Sequence, residues 1–258
     1  MAGVSRPNVL IFLCDQLRID LLSCYQETLV RTPHITELTG DSCLFERAYT
    51  PCAICSPARA SLLTGLYPHG HHMFNNSSPR YSYCQHLRPD MYDETYRIPL
   101  LFKTPGPGGA SRNSSFVHLM DVTATCLHLM TGMEQESLTG RSLHGRSLLP
   151  LAAGEAEWPR VVHYAQYHGD WYGHYSARMV TDGRWKLVWN LTDLCELYDL
   201  ENDPHELKNR FYDPGLEEVR ATYFEYLTAE AQRTGDGQLR LRNPQVEIEA
   251  QGTAGLRV

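Results

Sequence analysis

One run of apolar residues limits the fold more than any other feature of the sequence. The segment Asn8–Cys14 reads NVLIFLC and stops abruptly at the polar pair Asp15-Gln16. Such a continuous run is typical of a strand that is buried on both faces, and these strands belong to parallel sheets covered by helices. Ligands of open α/β sheets bind beyond the carboxyl ends of the strands. The run therefore predicts an α/β fold, with Asp15 at the edge where a ligand binds.

The composition is that of a globular protein and excludes several other classes. Of the 258 residues, 42% are hydrophobic and 21% are charged, and no stretch approaches the roughly 18 apolar residues of a membrane-spanning helix. The net charge of −7 argues against nucleic acid as a partner, because nucleic-acid binders usually carry a basic face. The run Val9–Leu13 is too short for the core of a signal peptide. The eight cysteines are too sparse for a disulfide scaffold. We therefore expect a cytoplasmic protein with free thiols and no membrane partner.

The N-terminal part, residues 1–150, is predicted to alternate short strands and helices. The helix signals are a Thr or Pro at the start and a Gly after the end. These signals and the apolar spacing predict a helix from Thr32-Pro33 to Gly40, a strand over Cys43–Tyr49, a helix that ends at Gly65, a strand over Tyr96–Lys103 and a helix over Val117–Met130. Residues 67–90 show no usable periodicity and are predicted to form a loop.

The C-terminal part has a different pattern. Two strand-like segments flank Asp182-Gly183, which is the strongest hairpin signal of the sequence. The patterns predict three antiparallel strands and one amphipathic helix: Ser176–Thr181, Arg184–Trp189, Cys195–Leu200 and Pro214–Arg233. We therefore predict a small antiparallel α+β subdomain over residues 151–235, followed by a loosely held tail over residues 236–258.

Three residues have positions that suit chemistry. Cys55 lies at a predicted helix N-terminus with Arg59 one turn later, so the helix dipole and the guanidinium would both favour an anion there. Asp15, at a predicted strand end, could ligate a hard cation such as Ca²⁺ or Mg²⁺. Plainer roles stay open on this reasoning, because a Cys at a helix start can be a small buried hydrophobe and an Asp after a strand can be a turn residue.

Two further clusters carry weaker signals. Cys52-x-x-Cys55 could indicate zinc or redox chemistry, but no second cysteine pair has the matching spacing. The histidines His69, His71 and His72 could bind a metal, but we favour a solvated loop as their interpretation.

The segment around Cys55 resembles a known signature. Cys55–Gly65 reads CSPARASLLTG and is similar to the type I sulfatase pattern C-x-P-x-R followed by a small spacer and L-T-G. Pro7–Gln16 looks like the first strand and metal-ligand pair of that family, and Met91–Leu100 resembles its late Tyr-Glu-Glu stretch. On these motifs the chain is identified as a member of the formylglycine-dependent sulfatases, in the alkaline-phosphatase-like superfamily.

The resemblance implies a fold, a site and partners. The fold is an α/β/α sandwich, shortened here, with a small C-terminal antiparallel α+β subdomain. A formylglycine-generating enzyme would oxidise Cys55 to formylglycine, whose hydrated aldehyde attacks the sulfate ester of a small molecule or carbohydrate. Asp15, Gln16 and the modified Cys55 would hold a divalent cation, in this family usually Ca²⁺, and Arg59 would orient the nucleophile and stabilise charge.

The chain departs from the family in its centre. Only Ser77–Asp90 lies between Asn76 and Met91, where family members carry further βα units, a Lys and a His near the substrate, and the residues that complete the metal site. Asp15 and Gln16 alone cannot satisfy a Ca²⁺ ion, which takes about six to eight oxygen ligands. Three functions stay open: a sulfatase of impaired activity, a phosphate or phosphonate monoester hydrolase of the same superfamily, and an inactive truncated relative.

Overall fold

The elements divide into an N-terminal α/β part and a C-terminal part built on an antiparallel sheet. The computed structural model describes residues 7–76, 91–104, 110–132, 143–154, 158–169, 176–191 and 193–237. The N-terminal elements are two 3₁₀ helices, Ile19–Leu21 and Thr39–Asp41, with α1 Pro33–Leu38, β1 Cys43–Tyr49, α2 Cys55–Thr64, α3 Pro68–His71, α4 Asp93–Tyr96, β2 Leu100–Phe102, β3 Ser111–His118, α5 Leu119–Thr131 and α6 Leu149–Ala152. The C-terminal elements are β4 His163–Tyr167, β5 Ala177–Thr181, β6 Trp185–Asn190, β7 Glu196–Asp199 and α7 Glu217–Thr234.

The N-terminal sheet has β1 at its centre. Strand β2 pairs with it antiparallel, and β3 pairs with it parallel, with an irregular register between Phe45 and Arg47. Phe45, Ala48 and Val117 are buried around this sheet, and helices α2 and α5 pack against each other. The predicted strand Cys43–Tyr49 is confirmed, and the mixed α/β fold with two sheets agrees with a shortened alkaline-phosphatase-like fold.

The C-terminal sheet is antiparallel in the order β4-β5-β6-β7, and α7 packs against β5 and β6. Its central hairpin turns at Asp182-Gly183, where Asp182 Oδ1 accepts hydrogen bonds from the backbone N–H groups of Arg184 and Trp185. Gly183 has φ 90°, which few other residues tolerate. The predicted hairpin is therefore confirmed. The sequence analysis does not predict strand β4, because His163 and Gln166 are polar and break the apolar pattern of a buried strand. In the structure both side chains are fully buried.

The prediction that Asn8–Cys14 forms a buried strand is wrong. All seven residues are exposed and form no regular element, with Leu10 78% and Phe12 84% exposed. A strand buried on both faces needs neighbouring strands and covering helices, and neither sheet of the described residues pairs with this run. The side chains are thus apolar without the partners that would bury them.

Lysines placed in the exposed run Asn8–Cys14 should reduce self-association of the protein. We expect Leu10→Lys combined with Phe12→Lys to change the free energy of unfolding by no more than about 0.5 kcal/mol, since exposed sites tolerate substitution. Self-association should fall because the exposed apolar patch is interrupted. Size-exclusion chromatography with light scattering and urea unfolding measure both effects. A loss of stability well above this value would show that the run is buried.

Other element boundaries also differ from those predicted. Part of the predicted loop 67–90 is the short helix α3, and the predicted strand Tyr96–Lys103 begins only at Leu100, because Tyr96 ends α4. The predicted helix Val117–Met130 begins at Leu119, since Asp121 Oδ2 accepts the backbone N–H of His118 and ends β3 there. Of the predicted tail, residues 238–258 lie outside the described residues.

A buried ion cluster joins the two parts of the molecule. Lys186 on β6 is fully buried, and its Nζ lies 2.8 Å from Asp93 Oδ1 of α4 and 2.6 Å from Glu206 Oε1. Glu206 Oε2 also accepts the backbone N–H of Asp93 at 2.8 Å. Glu206 has φ 54°, in the left-handed region. This conformation carries strain, and the contacts of its carboxylate hold it in place.

Two buried histidines, His118 at the end of β3 and His163 on β4, form a second contact between the two parts of the molecule. His118 Nε2 and His163 Nδ1 are 2.8 Å apart, and His118 Nδ1 is 3.2 Å from the hydroxyl of Tyr67. Burial lowers the pKa of both histidines well below the usual value, and the positive charge of Arg160 acts on both in the same direction. Both imidazoles are therefore neutral in the folded protein near neutral pH.

Because His118 and His163 are buried in the neutral form, the protein should become less stable in acid. In the unfolded chain a histidine takes up a proton near pH 6.5, whereas the buried pair stays neutral, so stability is complete above that pH and falls as the pH drops below it. Between pH 7 and 5.5 we expect His163→Gln to lose about 1 kcal/mol less than the parent, because one such group is absent. Urea unfolding at several pH values measures this. His34→Gln is the control, because that side chain is 94% exposed, and an unchanged pH dependence in His163→Gln would contradict the assignment.

Candidate active site

Helix α2 places Cys55 and Arg59 at one corner of the N-terminal part. The helix begins at Cys55 and ends before Gly65, which has φ 71°, a conformation that glycine adopts without strain. Cys55 is exposed and Arg59 follows one helical turn later. The first N–H groups of a helix have no partner within it, and the helix dipole makes this end attractive to an anion.

The structure brings Asp15 to this corner. One oxygen of its carboxylate, Oδ1, lies 3.3 Å from Nη2 of Arg59, and the two side chains are 70% and 56% exposed. An exposed ion pair contributes little to stability. This pair matters because it places a carboxylate beside the guanidinium of Arg59. Gln16 follows with φ 49°, a left-handed conformation that costs a non-glycine residue about 1–3 kcal/mol and is common at functional sites.

The sequence reasoning did not single out Asn76 for this site. Its Oδ1 accepts the backbone N–H of Ser56 at 2.8 Å, and Ser56 is the residue directly after Cys55. The bond satisfies one of the free N–H groups in the first turn of α2. No rule of sequence spacing relates residue 76 to residue 55, so only the folded chain reveals this contact.

The histidine cluster has structural contacts. His71 Nε2 is hydrogen-bonded to Ser61 Oγ of α2 at 2.9 Å, and burial together with the neighbouring His69 lowers the pKa of His71 to about 4. His69 is held between the side chain of Gln166 and the carbonyl oxygen of Thr234. The solvated-loop interpretation is therefore wrong for His69 and His71, which belong to α3.

The described residues do not by themselves fit a complete cation site. Asp15 and Gln16 offer side-chain oxygens, but the Asp15 carboxylate is paired with Arg59. Within the described ranges no group of three or more His, Cys, Asp or Glu residues could hold a metal ion. A Ca²⁺ ion needs about six to eight oxygen ligands, so the donors that the structure places here are too few.

Comparisons with known proteins identify the family. A sulfatase family model matches residues 7–87, and a model described as N-sulphoglucosamine sulphohydrolase, C-terminal, matches residues 87–233, which is more than half of the chain. The chain belongs to the sulfatase family. The two models meet at residue 87, whereas our predicted boundary is at residue 150, and that boundary stays a proposal.

Individual relatives and a solved structure agree with the family. An N-acetylgalactosamine-6-O-sulfatase of Bacteroides thetaiotaomicron is 46% identical over 63 residues, which cover 24% of this chain and 12% of the relative. The multifunctional alkaline phosphatase superfamily protein PehA of Trinickia caryophylli is 33% identical over 129 residues, which cover 46% of this chain and 25% of the relative. A solved 2-O GAG sulfatase has a TM-score of 0.77 at 16% identity, covering 92% of this chain and 94% of the other, and this shows the shared fold.

The chain covers only part of the length of the curated relatives that it matches. Besides the two relatives above, it covers 61% of a protein of Haemophilus influenzae to which it is 33% identical over 124 residues, or 48% of this chain. None of its helices, as far as the chain is described, has the length and apolar character to cross a membrane.

Proposed function

We propose that this protein hydrolyses sulfate esters and that Cys55 is the residue converted to formylglycine. The observation that carries the proposal is the position of Cys55. Its side chain is exposed at the N-terminus of α2, one turn before an arginine that is paired with Asp15. A nucleophile at a helix N-terminus meets an anionic substrate where the dipole favours negative charge.

The residues around Cys55 have separate roles in this proposal. A formylglycine at this position supplies a hydrated aldehyde. One of its hydroxyls attacks sulfur, the S–O bond to the alcohol breaks and the alcohol leaves with a proton; the second hydroxyl then loses its proton, expels sulfate and regenerates the aldehyde. Arg59 binds the sulfate oxygens and stabilises the charge that develops on them, and Asp15 orients the guanidinium through their ion pair. Asn76 holds the backbone at Ser56 and so fixes the direction in which residue 55 points.

Three residues, one of them the proposed nucleophile, are candidate ligands of a divalent cation. We propose Asp15, Gln16 and the modified Cys55 as ligands of a divalent cation, with Ca²⁺ as the first ion to test. The described residues do not by themselves complete the ligand set of this cation.

The proposed substrates are sulfated amino sugars. The relative from Bacteroides thetaiotaomicron is named for action on N-acetylgalactosamine 6-sulfate groups, and 6-sulfated hexosamines are therefore the first compounds to test.

A cytoplasmic location of the protein also stays a prediction.

A second candidate reaction is the hydrolysis of phosphate or phosphonate monoesters. The match to PehA, a protein named as multifunctional, favours it. Turnover of an aryl sulfate, an aryl phosphate and an aryl phosphonate monoester, measured side by side, separates the two reactions. A higher kcat/KM for either phosphorus ester than for the sulfate would overturn the sulfatase proposal.

The direct test is mass spectrometry of the peptide that contains Cys55, after coexpression with a formylglycine-generating enzyme. We expect the aldehyde at residue 55 together with turnover of the aryl sulfate. An unmodified thiol under these conditions, with no turnover of any ester, would instead indicate an inactive member of the family. The exposed apolar run Asn8–Cys14 supports this alternative, since its side chains have no packing partners among the described residues.

A further inference from the structure

Residues 71–76 form a segment that is fixed to α2 at both ends. At one end His71 Nε2 lies 2.9 Å from Ser61 Oγ, and at the other end Asn76 Oδ1 lies 2.8 Å from the backbone nitrogen of Ser56. Ser61 is on the second turn of α2 and Ser56 follows Cys55 directly. The segment therefore runs beside the helix toward its N-terminus and ends next to the proposed nucleophile.

The middle of this segment rests on the C-terminal part of the molecule. The ring of Phe74 lies 4.6 Å from the ring of His168, measured between centroids. His168 Nε2 is hydrogen-bonded to Gln166 Oε1 at 3.2 Å, and Gln166 Nε2 donates to Asp236 Oδ2 at 2.8 Å. Burial lowers the pKa of His168 to about 3, so the imidazole behind Phe74 is neutral.

The outer side of the segment faces solvent. His72 is exposed and has φ 61°, and this left-handed residue turns the chain between the two fixed ends. Met73 is 44% exposed and Phe74 is partly exposed. An apolar surface with a fixed aromatic ring therefore lies two residues from Asn76, beside the end of the helix that carries Cys55.

We propose that Phe74 determines specificity by binding the apolar face of the sugar ring whose sulfate group lies at Cys55. This inference rests on the proposed function and names the part of the site that holds the alcohol. Binding sites for small molecules are lined mainly by apolar and aromatic side chains with a few polar groups for orientation. The C–H face of a pyranose carries no charge and fits a flat ring, and the backing by His168 fixes the ring before the substrate binds.

The test measures binding rather than turnover, in the full chain with Cys55→Ala as the parent. The probes are N-acetylgalactosamine 6-sulfate and N-acetylgalactosamine, titrated by isothermal calorimetry and NMR. We expect Phe74→Leu to weaken both by about tenfold, which corresponds to about 1.4 kcal/mol, because leucine keeps the apolar volume and loses the flat face. Phe74→Tyr should bind as the parent does. Tyr226→Leu is the matched control, on an exposed face of α7, and should have no effect.

A second measurement does not depend on the folding of any Phe74 variant. In the parent labelled with ¹³C in its phenylalanine rings, the Phe74 signals should shift when either sugar is added. Unchanged Phe74 signals, unchanged affinity in a folded Phe74→Leu variant, or no binding of either sugar by the parent would each overturn the proposal. Turnover by the wild-type chain with no effect of Phe74→Leu would overturn this inference alone. Sugar binding that depends on Phe74, in a chain without turnover, would support it and contradict the proposed reaction.

Discussion

Replacing Asp236 by Ala is expected to lower the free energy of unfolding by about 3–5 kcal/mol, because it removes a buried carboxylate that is ion-paired with a buried arginine. The side chains of Asp236 and Arg178 are both fully buried, and Arg178 Nε lies 2.5 Å from Asp236 Oδ2. The same oxygen accepts hydrogen bonds from the hydroxyl of Tyr164 at 2.7 Å and from Gln166 Nε2 at 2.8 Å. One substitution thus removes the acceptor of three buried donors. Urea unfolding followed by circular dichroism measures the loss.

The control is Glu201→Ala, which breaks an exposed pair of the same type. Glu201 lies 3.3 Å from Arg184, and these side chains are 62% and 60% exposed. We expect a change of no more than about 1 kcal/mol, since solvent screens this pair. If Asp236→Ala is too unstable to measure, Asp236→Asn keeps one acceptor oxygen and should lie between the two. Equal effects of Asp236→Ala and Glu201→Ala would contradict the burial of the Arg178 pair.

Replacing Cys55 by Ala is expected to reduce turnover of sulfate esters by at least about 10⁴-fold, the scale of losses when a catalytic nucleophile is removed. The reason is chemical, because alanine cannot be oxidised to the aldehyde that the proposed reaction needs. Stability should change little, since residue 55 is exposed at the first position of α2. Initial rates with an aryl sulfate, on protein coexpressed with the formylglycine-generating enzyme, measure the effect.

The matched control is Cys14→Ala, which removes another exposed thiol. It should keep the rate of the wild-type protein within a factor of a few, because no step of the proposal uses Cys14. Turnover that survives Cys55→Ala would place the nucleophile at another residue.

The local elements of the fold followed from local signals. The strand Cys43–Tyr49, the stop of α2 at Gly65 and the hairpin at Asp182-Gly183 all depend on residues within a few positions of one another. The predicted helix Pro214–Arg233 is also present, as α7 Glu217–Thr234. Tyr226 is three residues after the buried Tyr223 and so lies near it on the helix surface, but it is 36% exposed. Periodicity indicates which residues can share a face, whereas packing decides how far that face is covered.

The apolar run Asn8–Cys14 shows the opposite case. Its composition predicts a buried strand, yet its burial depends on neighbours that the described chain does not place beside it. The prediction of a loosely held tail from residue 236 onward is wrong at Asp236 for a related reason, because this side chain is buried and ion-paired with Arg178. Nothing in the polar sequence after Gly235 indicates that this carboxylate meets Arg178, which lies on β5, far away along the chain.

The sequence by itself determined the family and the candidate nucleophile. The signature Cys55–Gly65 is continuous along the chain, so it can be recognised without knowledge of the fold. Only the tertiary structure placed Asp15 against Arg59 and Asn76 against Ser56, and set Phe74 on His168. These contacts join segments that are distant in sequence. Their geometry is decided by how sheets and helices pack, and spacing along the chain carries no record of it.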